Sequence, residues 1–147
     1  ERAERFRAEL ESEFNVAHWG LISDSRDAKQ ANEHLRASHI EVAVVAAPMA
    51  VPPGFVEDAM SGLDVPIVIW NTATTRRLKA GLNQAAAHED TALLGALMFA
   101  NTMVRRGTTP IVVSANPYDS AQVHRVRATV RAAAAAVGQD RRRLSRG

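Results

Sequence analysis

A chain of 147 residues with 46% hydrophobic and 23% charged residues has the size and composition of one ordinary globular domain, which excludes disordered and fibrous classes. Its apolar runs all stop short of the ~20 residues a membrane-spanning helix needs, so no membrane helix is expected. The net charge of +2 and the pI of about 9.7 come from the last seven residues, RRRLSRG; without Arg141, Arg142, Arg143 and Arg146 the chain holds 16 acidic residues against 14 basic ones.

An Arg-rich end can hold phosphate or an acidic surface. A body that is slightly acidic argues instead for a solvated helix end or linker over 141–147, and no nucleic-acid partner is expected. Cysteine is absent, which excludes disulfides and thiolate metal sites. With no signal-peptide pattern, the expected location is cytoplasmic. The chain lacks an initiator Met and opens on a helix, so it reads as a piece of a longer polypeptide, with residues 1–140 forming one domain.

In chain order, Phe6, Leu10 and Phe14 recur every fourth residue and predict one face of an amphipathic helix. VAHWGLI (Val16 to Ile22) reads as a strand. Ser23 and Asp24 are cap candidates for a helix with Ala28, Ala31 and Leu35 on its apolar side. IEVAVVAA (Ile40 to Ala47) is apolar throughout, the pattern of a strand covered on both faces. Pro48, Pro52, Pro53 and Gly54 mark a loop before a short helix that ends near Gly62. VPIVIW (Val65 to Trp70) is the next buried strand.

A polar connection then leads through Leu82 to Asp90 into an apolar helix whose body is expected to be buried core. That helix carries Arg105 and Arg106 in its last turn and has Gly107 as its left-handed stop. TPIVVSA (Thr109 to Ala115) is a further strand. Tyr118 and Asp119 start a last helix with Val123, Val126, Val130 and Val137 on one side. Alternation at this pitch predicts an α/β fold: a doubly wound, open parallel sheet, Rossmann-like or flavodoxin-like, with helices on both faces. Most such folds open on a strand, so either the sheet is built from four strands or, as expected here, its first strand is missing.

Ligands of open parallel sheets bind beyond the carboxyl ends of the strands. Four loops qualify: Ser23 to Ser25, Pro48 to Ala50, Asn71 to Thr75 with its extension to His88, and Ser114 to Asp119. No GxGxxG or GxxxxGK[ST] follows a strand, so the dinucleotide and P-loop phosphate cradles are missing. The strand ends AAPMA and IWNTA lack the Asp of a phosphoacceptor, and no GxSxG elbow occurs. His34 and His39 stand five apart, off metal-site spacing on a helix, and the other histidines form no set with them.

Amides and imidazole remain. Asn83, Gln84 and His88 precede the apolar helix, and Asn71 and Thr72 close a buried strand. Amides and hydroxyls hydrogen-bond hydroxyl groups, and neutral imidazole donates or accepts a proton. The inventory suits a polyhydroxylated ligand such as a sugar. Ordinary turn and first-turn helix chemistry explains the same residues, and Trp70, which could stack on a sugar face, is more often core when it closes a buried strand. Asp24 reads as a helix cap.

The run LNQAAAHED, then LLGALMFANTMVRRGTTPIVVSANPYDSAQVHRVRATVRAAAAA, resembles the N-terminal domain of the L-arabinose isomerase family, which groups with the L-fucose isomerases. IEVAVVAAPMAVPPGFVEDAMSGLDVPIVIWNT is similar to the family's preceding strand–loop–helix–strand. The resemblance spans roughly residues 30 to 137.

It implies metal-dependent aldose–ketose isomerisation by a homo-oligomer whose active site lies at a subunit interface. Manganese or another divalent metal would be held, with the catalytic carboxylates, by later domains outside this chain. His88 would be the motif histidine that approaches the sugar, flanked by Asn83 and Gln84, with Asn71 and Thr72 nearby. This chain would hold no catalytic residue or metal ligand and would be inactive alone. Glu89 stands where the family has Gly, and one extra Ala precedes His88. The alternative is a non-catalytic sugar-binding or regulatory module on a similar sheet.

Overall fold

In the computed structural model, three short apolar runs pair side by side as parallel strands. The structure describes residues 2–47, 50, 52–72 and 91–144. The elements are α1 (Arg2–Glu11), α2 (Ser25–Ala37), β1 (Ala43–Ala47), α3 (Gly54–Met60), β2 (Ile67–Asn71), α4 (Ala92–Arg105), β3 (Ile111–Ser114) and α5 (Ser120–Leu144). The strand order is β1-β2-β3. The fold is α/β and Rossmann-like, with helices on both sides of the sheet.

Period-two alternation in β2 assigns the two layers. Ile67 and Ile69 pack with Val56 of α3 and with Ala96, Phe99 and Met103 of α4. Trp70 packs on the other face with Phe6 and Leu10 of α1 and Val123 and Val126 of α5, while Val68 meets Val130 and Ala133. All five residues of β2 are buried, as expected of a central strand with no polar face.

Polar contacts fix how α1 lies on α5. The Arg127 guanidinium donates to the Glu9 carbonyl (2.8 Å) and to its carboxylate (2.5 Å), and Arg131 pairs with Glu13. Arg5 donates to the Pro117 carbonyl (3.0 Å). The two helices therefore run side by side in the same direction. Helix α2 packs through Ala28 and Ala31 against Ala59 of α3, and Asn32 donates to the Ala59 and Ser61 carbonyls (2.9 and 2.8 Å).

The caps follow the sequence. The Asp24 carboxylate accepts from the Asp27 amide (2.8 Å), and Gly107 takes φ +82° after α4. Asp119 accepts from the Ala121 and Gln122 amides (3.1 and 3.3 Å) at the start of α5. This helix continues to Leu144.

Asp27 in turn accepts from the Ser23 hydroxyl (2.6 Å) and amide (3.1 Å). These bonds, the hydroxyl first, hold its carboxyl below the ordinary value. A depressed folded-state pKa contributes stability that is complete above the unfolded carboxyl pKa and is lost as pH falls through the folded one. Titration of the Asp27 side-chain carboxyl by ¹³C NMR should give a midpoint below that of a free Asp, and Ser23→Ala should raise it. An unchanged midpoint in the variant would reject the hydroxyl as the main cause.

Two expectations need correction. Val16 to Ile22 is not a strand, and the described sheet has three strands where the sequence suggested a fourth. Alternation supplies a strand's faces but not its partner, and no described strand pairs with this stretch. Helix α4 is also not buried all round. Ala92, Gly95, Ala96, Phe99 and Met103 face the sheet, whereas Leu93, Leu94, Leu97 and Val104 are each more than half exposed. An apolar composition does not reveal which face of a helix lacks a covering layer.

Candidate site at the carboxyl edge of the sheet

Register places the last residues of the three strands side by side: Ala47 opposite Asn71, and Asn71 opposite Ser114. Both polar residues that close the buried run of β2 are themselves buried, Asn71 at 2% and Thr72 at 4% exposure. Burial of such groups is tolerated when hydrogen bonds replace water.

Thr72 meets that condition by donating its hydroxyl to the Ala47 carbonyl (3.1 Å), which ties β2 to the end of β1. Its donor is thereby committed, and its oxygen keeps accepting capacity. The Asn71 side-chain amide donates to the Ser114 hydroxyl (3.0 Å), and its main-chain carbonyl accepts from the Ala115 amide (3.0 Å). The Asn71 Oδ1 atom is buried without a hydrogen-bond partner among the described residues. An acceptor left in that state costs about 1–3 kcal/mol.

Other polar groups converge on the same edge. The Ser114 carbonyl accepts from Arg125 (3.2 Å). Gln122 accepts from the Asn116 amide (3.0 Å) and donates to Asp119 (2.8 Å), locking the β3–α5 turn. The Thr91 hydroxyl accepts from the Ala50 amide (3.2 Å), joining the start of α4 to the loop after β1. Thr91 follows His88 by three residues in the sequence.

Asn83, Gln84 and His88 lie outside the described residues. Of the five sugar-contact candidates, the structure thus places Asn71 and Thr72 together at the strand ends. Trp70 is core rather than surface: it is fully buried, stands 5.1 Å from the Phe6 ring, and donates its indole N–H to the Ala115 carbonyl (2.9 Å).

Sequence reasoning places Ser114 only as the first residue of a candidate loop and does not single out Arg125. A serine ending the apolar run IVV is a faint signal for the first, and Arg125 carries none. Among the described residues no three His, Asp or Glu side chains are grouped as a metal set. No protein-family model matches the chain, and no curated protein matches it either.

Proposed function

We propose that this chain is the N-terminal, substrate-site domain of a metal-dependent aldose–ketose isomerase-like protein, and that it offers polar side chains at the carboxyl edge of its sheet to a sugar. The observation that carries this reading is the Asn71 Oδ1 atom, a buried acceptor with no described partner at the end of the central strand. A sugar hydroxyl is a donor of the right kind for it, and the Ser114 hydroxyl beside it can donate or accept. The resemblance over Leu82 to Asp90 adds His88, Asn83 and Gln84 as further sugar contacts.

The resemblance puts the manganese of such an enzyme on residues outside this chain; among the described residues no three His, Asp or Glu side chains are grouped. The exposed leucine face of α4 supports a subunit contact. Leu93, Leu97 and Val104 project from one side of the helix, with Leu94 next to them.

The test is an isomerisation assay on the full-length polypeptide that carries this chain, over pentoses and 6-deoxyhexoses, with manganese and then with chelator. Turnover abolished by the chelator is the expected result. The second reading is a non-catalytic sugar-binding module that uses the same Asn71 site. Saturable sugar binding with no turnover would select that reading. Neither turnover nor binding by a folded protein would sink both.

A further inference from the structure

An apolar cleft of about 810 Å³ runs along the outer edge of β1. On one side lies β1, which among the described residues pairs only with β2. On the other lies the stretch from Val16 to Ile22. Leu10 of α1 and Val130 of α5 close the cleft from one helical layer, and Leu35 of α2 with Phe55 and Met60 of α3 close it from the other. The cleft therefore lies in the plane of the sheet, between the layers.

Its polar requirement comes from the β1 backbone. The Ala43 amide donates to the Pro66 carbonyl (3.0 Å), on the β2 side. Backbone groups of successive strand residues point to opposite sides in a parallel ladder, so the N–H and C=O of Val44 and Ala46 point into the cleft. A row of backbone donors and acceptors between two apolar walls is complementary to an extended strand with apolar side chains on both faces.

The position of α1 says where such a strand comes from. Arg5 reaches the Pro117 carbonyl, just beyond the end of β3, so α1 begins at the carboxyl edge of the sheet, where a strand parallel to β1 would end. The helices α3 and α4, in the steps from β1 to β2 to β3, lie on one face, and α1 lies on the opposite face. A strand in the cleft that feeds α1 and then Val16 to Ile22 steps in the opposite direction along the sheet. Reversing both direction and face preserves the hand of the crossover, as the right-handed rule for parallel strands requires.

We propose that this cleft is the docking slot for an apolar β-strand, supplied by polypeptide preceding Glu1, that runs parallel to β1, bonds to the Val44 and Ala46 backbone and leads into α1. This does not rest on the sugar reading.

The probe is the full chain with five alternating Val and Ile residues and a short Gly-Ser-Asp turn fused ahead of Glu1, compared with a Gly/Ser extension of equal length. The readout is amide hydrogen exchange, with Ile69 of the central strand as the reporter of folding. Exchange at Val44 and Ala46 should slow by about tenfold or more with the Val/Ile extension. Ala46→Pro removes only an N–H that faces the cleft and leaves the β1–β2 ladder intact; it should abolish the slowing at Val44. Protection of Ile69 only when the Val/Ile extension is present would support the docked strand equally. Equal exchange at Val44 and Ala46 in both folded chains would overturn the proposal. So would slow exchange in the unextended chain together with a dimer mass in sedimentation, because a second copy would then cover this edge.

Discussion

Replacing Trp70 by alanine should destabilise the fold by about 4 kcal/mol, within the range for large aromatic truncations in cores. Three contributions act together. The indole is fully buried between β2 and the α1–α5 layer, so truncation leaves a cavity where close packing had been. Its ring contact with Phe6 is lost, a term of about 0.5–1.5 kcal/mol in aromatic pairs beyond area burial. The Ala115 carbonyl, itself in a buried residue, loses its indole donor.

Trp70→Phe separates these contributions, because it keeps most of the volume and removes the N–H. It should cost about 1–3 kcal/mol, the penalty of a buried acceptor left without its donor. Urea unfolding followed by far-UV circular dichroism is the appropriate measurement, since the variants lose an indole fluorophore. Against a typical total of about 5–15 kcal/mol, the alanine variant approaches the limit of folding. A cost below about 1 kcal/mol for Trp70→Ala would mean that the α1–α5 layer is not anchored on this side chain.

Such a residue shows which part of the fold was legible. VPIVIW announces a strand buried on both faces, and the structure places Ile67–Asn71 at the centre of the sheet. Proline and glycine positions, the Asp24 cap and the Gly107 stop act over a few residues, and so could be read locally. Val16 to Ile22 could not, because strand formation depends on a neighbour and the sequence contains no record of which edge lies beside it. The exposed side of α4 failed for a similar reason: Leu97 and Phe99 are equally apolar, and only the position of the sheet decides that Phe99 is covered.

At the site, two polar residues closing an apolar run sufficed to single out Asn71 and Thr72. Their roles needed the register. Ser114, the partner of Asn71, lies 43 residues away in the chain, and no local pattern links the two. The convergence of Arg125 on Ser114 depends on the same strand pairing followed by the turn into α5.

Asn71→Ala should then separate stability from ligand binding. The substitution removes one hydrogen bond, that to Ser114, worth about 1 kcal/mol net. It also removes the buried Oδ1 that has no described partner, relieving a penalty of about 1–3 kcal/mol. The two terms oppose each other, so the alanine variant should unfold within about 1 kcal/mol of the parent chain, where a buried polar truncation ordinarily destabilises.

A sugar hydroxyl donating to Oδ1 would reverse the balance in the bound state, because the acceptor would then be satisfied only when ligand is present. Sugar affinity of the full-length protein should therefore fall by about tenfold or more, each tenfold corresponding to about 1.4 kcal/mol. Thr72→Val serves as the contrast. It cuts the tie to the Ala47 carbonyl and leaves that acceptor without its donor, so it should lower stability by about 1–3 kcal/mol. Paired urea-unfolding and sugar-titration measurements on the two variants distinguish the two roles. If Asn71→Ala loses stability as Thr72→Val does and keeps its sugar affinity, Asn71 is a strand-end tie like its neighbour, and the sugar site lies elsewhere.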